Sequence, residues 1–148
     1  MSDAVREEGK REEMTDDELL SAFETASISA ADFHHRQHVR VVWVMISDRG
    51  AQEAGERFVA AIRRLAAAHG ANQLYHETIT RAWLCLIEAA ARELSGCANS
   101  EGFLAAAPWL EDKSLLGRHY SAAKLGSEEA RARFAEPDLE PLPAPFGV

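Results

Sequence analysis

Apolar side chains recur every three to four residues along most of this chain, the spacing that lays a stripe down an α-helix. Phe33 to Asp48, wound at roughly 100° per residue, sets Val39, Val41, Val42, Met45 and Ile46 on one broad arc. Arg36, Gln37, Arg40, Ser47 and Asp48 fall on the other side. Ala51 to Ala68 repeats the pattern with Phe58, Ile62 and Leu65, and Gly70 is a suitable stop. From Asn72 to Ser95, Tyr75, Ile79, Ala82, Trp83, Leu86, Ile87, Ala90 and Leu94 oppose Gln73, Glu77, Arg81, Glu88 and Arg92. Cys85 leans off that apolar stripe. A shorter helix comes first, opened by the capping-box pattern Thr15-Asp16-Asp17-Glu18 and carrying Leu19, Leu20 and Phe23. Ser29-Ala30-Ala31-Asp32 gives the second helix the same kind of start, and Asp48-Arg49-Gly50 its end.

After Gly96 the pattern shortens. Glu101 to Ala107, Asp112 to Arg118 and Ser127 to Phe134 read as brief helices, with Trp109-Leu110 as a core anchor. The prolines from Pro137 to Pro145 forbid helix and predict an extended run. No alternating strand pattern is present. The expected fold is all-α: a compact bundle of four main helices, short C-terminal helices and a Pro-rich tail. Residues 1–14 read as a disordered lead-in, 15–136 as one helical domain, and 137–148 as the extended tail.

Three of the six histidines, His34, His35 and His38, fall within five residues and land inside the apolar arc of the second helix. His76 sits in the apolar stripe of the fourth. An imidazole turned into a core without a partner costs on the order of 1–3 kcal/mol, so the pattern predicts a polar site inside the helical core. His35 and His38, or His34 and His38, project side by side from one helix and could grip one ion. His76 is the natural third ligand. His69 prolongs the stripe of the third helix, but its place in the last turn favours a role at the helix end. Glu77, beside His76, points to the solvent side.

Composition narrows the partners. A net charge of −8 without a Lys/Arg-rich block argues against nucleic acid and anionic membranes. Cys85 and Cys97 make no metal-binding spacing and read as reduced thiols. No apolar run approaches the ~20 residues of a membrane span, and Ser2 to Glu13 is no signal region, so the expected location is cytoplasmic.

A set of phrases adds one thing more. Phe33-His34-His35-Arg36-Gln37-His38-Val39 with Trp43, Tyr75-His76-Glu77-Thr78-Ile79-Thr80, Asp112-Lys113-Ser114-Leu115-Leu116, Tyr120-Ser121 and Pro137-Asp138-Leu139 with Pro141-Leu142-Pro143 together cover about residues 33 to 143. The chain thereby resembles a family of small, uncharacterised, all-helical bacterial proteins. The resemblance implies a single module and selects His35 and His38 over His34; it brings no activity.

The leading expectation is a small metal-dependent enzyme or metal-binding protein using His35, His38 and His76. Its ion would be a divalent transition metal, with iron, zinc, nickel and copper all suited to imidazole. His119, Tyr120 and Thr80 are the candidate catalytic groups, and His34, Tyr75 and Trp83 the candidate substrate contacts. An alternative keeps the pocket without the metal: an isomerase, lyase or cyclase, or a plain ligand-binding module, with buried histidine as acid or base. A second alternative is a structural or partner-binding protein whose histidines are satisfied within the core. Lys113 and Arg118 read as a solvated face, Asp32 as a helix-start residue, and Trp43, Trp83 and Trp109 as core. A small-molecule partner is expected, and the pattern also leaves room for a homodimer.

Overall fold

The structure, a computed structural model, describes residues 13–143. Most of the expected lead-in and the end of the tail, 144–148, lie outside the described residues. Among those described there are helices and no strand.

Helix α1 (Asp16–Glu24) opens with the expected capping box. The Glu18 amide donates to the Thr15 hydroxyl, and the Thr15 amide donates to the Glu18 carboxylate. A short 3₁₀ turn (Ala30–Asp32) leads to α2 (His35–Arg49), and α3 (Ala51–Ala68) follows after Gly50 alone. Gly50 has a φ of 91°, a conformation that L side chains avoid, which lets two long helices turn back on each other across one residue. A second 3₁₀ turn (Asn72–Leu74) precedes α4 (Glu77–Glu93). Beyond it come α5 (Ser100–Ala106), 3₁₀ turns at Pro108–Glu111 and Lys113–Arg118, α6 (Ala122–Leu125) and α7 (Glu128–Ala132). Asn99, Ser121 and Ser127 cap α5, α6 and α7 by accepting from the amides of Gly102, Lys124 and Ala130.

Helix α2 is central: α1, α3, α4 and α5 all pack on it. Val39, Val41, Val42 and Met45 are buried as their arc predicts. Enclosure on several sides also buries Arg40, which periodicity had assigned to the outer face; it is 1% exposed. Its guanidinium donates to the Ser100 hydroxyl, the Met14 carbonyl and the Asp16 carboxylate, so the buried charge meets an opposite one. Burial works to raise the Asp16 carboxyl. The Ser100 hydroxyl and amide, with Arg40, outweigh it and hold that carboxyl below its usual range. This cluster ties α1, α2 and α5 together, and it orders Met14 at the end of the expected lead-in.

Other elements depart from expectation as well. Cys85 is buried, and Trp109 is half exposed while its neighbour Leu110 takes the core position. The last helix ends at Ala132, leaving Phe134 partly exposed, and α6 was not foreseen. The start of the tail is without helix, as its prolines require. It runs back along the preceding turn: the Leu139 and Glu140 amides donate to the carbonyls of His119 and Arg118, and the Ser121 hydroxyl bonds Asp138.

Candidate functional site

A cavity of about 380 Å³ opens between α2, α3 and the first half of α4. Helix α2 contributes His35, His38 and Val42, and α3 contributes Phe58, Ile62, Leu65, Ala66 and His69. The 3₁₀ turn and α4 supply Leu74, Tyr75, His76, Ile79, Thr80, Trp83, Leu84 and Ile87. Leu74, in the α3–α4 connection, lines the cavity and is 71% exposed. No Asp, Glu, Lys or Arg lines it. Six of the nine candidate residues, His35, His38, His76, Tyr75, Thr80 and Trp83, are thus gathered in one place.

His69 joins them. Its Nε2 meets the Ile28 carbonyl at 3.1 Å, so it ties the end of α3 to the α1–α2 connection while lining the cavity. The signal was present in the sequence, since His69 continues the α3 stripe.

The imidazoles differ in what they have left to offer. His76 is the N-cap of α4: its Nδ1 accepts from the Ile79 amide at 3.1 Å. That fixes the proton on Nε2, which donates to the Leu125 carbonyl at 2.8 Å. Neither nitrogen retains a free lone pair for a metal. His35 Nε2 lies 2.8 Å from the Leu110 carbonyl, which can only accept, so the ring carries its proton there and keeps Nδ1 as an acceptor. Burial lowers the His35 pKa, and its ring is tilted against Trp83 at 4.4 Å.

His38 is the exception. It is stacked on Phe33 at 4.3 Å and stands edge-on to Phe58 at 6.1 Å, and among the described residues no group hydrogen-bonds either ring nitrogen. Burial, with repulsion from His35, His34 and Lys113 behind it, pushes its pKa down to about 3. At neutral pH the ring is an uncharged donor and acceptor. Its conjugate acid is too strong for it to be a useful general base, in contrast to the acid–base role expected for buried histidine.

At the edge of the site, Glu77 is drawn in rather than turned to solvent. It accepts from the Tyr75 hydroxyl at 2.6 Å and from Arg81 at 2.9 Å, while Arg63 lies over the Tyr75 ring. Burial works to raise the Glu77 carboxyl, and these two donors outweigh it. Burial, then Glu77, raises the Tyr75 hydroxyl, so Tyr75 stays neutral.

Three candidates are placed elsewhere. His34 is exposed and lines a second, smaller hollow beside Arg40. It precedes α2, and its amide donates to Gln37. His119 holds the tail through Nδ1, which donates to the Glu140 carbonyl. Tyr120 is buried, with its hydroxyl donating to the Ala135 carbonyl and its pKa pushed up to about 12, first by burial. These last two anchor the C-terminal segment and do not face the cavity.

The proposed ligand set of His35, His38 and His76 therefore fits a metal poorly, because His76 has spent both nitrogens on the fold. Among the described residues no group of three or more His, Cys, Asp or Glu is placed to hold an ion. Comparison with known proteins adds no further guide: no family model, curated protein or solved structure matches the chain.

Proposed function

We propose that this protein binds a small organic molecule in the cavity between α2, α3 and α4, without a metal ion. The observation that carries this reading is His38: a neutral imidazole whose nitrogens have no hydrogen-bond partner among the described residues, lining an otherwise mainly apolar chamber. A ring nitrogen that lines the chamber without a protein partner is open to a ligand group, and a hydrogen bond made there is worth about 0.5–1.5 kcal/mol and fixes orientation. The volume lies at the lower end of the roughly 300–1,000 Å³ typical of small-molecule sites. The exposed 3₁₀ turn at Leu74 supplies a point of entry.

The test is release of bound small molecules from purified protein on denaturation, followed by mass spectrometry. Wild type should release a compound that an Ala66→Trp variant, with an indole filling the chamber, does not carry, its helical content being checked by circular dichroism. Dialysis against a chelator should leave binding of that compound unchanged. If chelation abolished binding, the metal-dependent reading would return. If wild type released nothing and bound nothing from a library of small metabolites, the binding reading would be lost.

A further inference from the structure

We infer that the occupant of this cavity is an uncharged molecule with a flat, ring-containing body and one hydroxyl group. This rests on the binding reading above and adds the ligand's class. Three features of the chamber select it.

The first is charge. The lining holds no Asp, Glu, Lys or Arg. A carboxylate or ammonium entering such a chamber would lose its hydration with no opposite charge to replace it, which costs several kcal/mol even after relaxation. Beside the chamber, Glu77 is already satisfied by Tyr75, Arg63 and Arg81.

The second is size and shape. A cavity of about 150 Å³ lined by aliphatic and aromatic side chains takes benzene. The present chamber, at about 380 Å³, has room for a fused pair of rings or a body of that size. Phe58 and Trp83 contribute aromatic surface to its lining, and Ile62, Leu65 and Ile87 aliphatic surface.

The third is hydrogen bonding. The His38 ring presents one donor and one acceptor, and a hydroxyl is the smallest group that can answer either. His35, held neutral by burial with its Nε2 donating to the Leu110 carbonyl, retains Nδ1 only as an acceptor. Acceptors therefore outnumber donors among these imidazoles, which favours a ligand that donates.

Three bicyclic probes of nearly equal shape separate these features: naphthalene, 2-naphthol and 2-naphthoate. Affinity is measured by calorimetry on the full chain at pH 7.5, with the His38 imidazole followed by nitrogen NMR. 2-Naphthol should bind about tenfold or more tighter than naphthalene, one buried hydrogen bond's worth, and should shift the His38 ring nitrogens. 2-Naphthoate should bind weakest. In His38→Phe the preference for naphthol over naphthalene should vanish while naphthalene still binds. Should that variant fail to fold, the wild-type His38 shift on naphthol addition makes the same decision. Naphthoate binding best, or naphthalene matching naphthol, would overturn the ligand class and leave the cavity's binding role standing. No binding by any of the three would remove the binding reading together with the class.

Discussion

Acidification should destabilise this protein through His38 well before its carboxylates titrate. In the unfolded chain the imidazole has a pKa of about 6.5, while in the fold it is pushed down to about 3. Between those values the unfolded state holds a proton that the folded state refuses, so stability is full above pH 6.5 and falls as the pH drops toward 3. The limiting slope is about 1.4 kcal/mol per pH unit. From pH 7 to pH 4.5 His38 alone should therefore remove at most about 2–3 kcal/mol, a large share of the roughly 5–15 kcal/mol typical of a folded domain. His35, also lowered by burial, adds to the same trend. The carboxylates held low by partners, Asp16 and Glu77 among them, lose their contributions only at lower pH. His38→Phe isolates the term, because a phenyl ring can occupy the same place between Phe33 and Phe58 without titrating. Urea unfolding at pH 7, 6, 5 and 4.5 should give a wild-type curve falling more steeply than the variant's. Parallel curves would mean that His38 stays solvated in the fold, and the reasoning about its neutral state would have to be abandoned.

Two further outcomes follow from the hydrogen bonds of the other histidine and tyrosine candidates. His76→Ala should lose about 1–3 kcal/mol, the N-cap of α4 and the bond to the Leu125 carbonyl together; His76→Asn should recover the capping part in thermal melts. Zinc titration should not distinguish these variants from wild type, and a high-affinity zinc isotherm lost on substitution of His76 would contradict the assignment of its nitrogens. Tyr120→Phe should cost about 1 kcal/mol, the worth of its bond to the Ala135 carbonyl. Its affinity for 2-naphthol should equal that of wild type; a drop of tenfold or more would place Tyr120 in the site after all.

Much of this fold was legible in the chain because its signals are local. A capping box needs four consecutive residues, and Thr15 to Glu18 form one as written. The stripes of α2, α3 and α4 repeat within each segment, and burial of Val39, Phe58 and Ile87 follows them. The side-by-side projection of His35 and His38 is likewise a property of one helix, and both line the cavity. What each imidazole does there was beyond reach, since it depends on which distant carbonyl arrives. His35 meets Leu110, 75 residues on, and His76 meets Leu125, 49 residues on. Those contacts turn His76 from a candidate ligand into a helix cap and leave the His38 ring nitrogens without a hydrogen-bond partner among the described residues.

The sequence by itself determined the four main helices, their inward faces and the presence of histidine within a core, all set by periodicity and neighbouring residues. Only the tertiary structure decided that Arg40 is enclosed, that Glu77 is held by Tyr75 and Arg81, and that His119 and Tyr120 fasten the tail. Burial and hydrogen-bond partners depend on segments brought together from far along the chain, and a helical wheel knows nothing of what surrounds its helix.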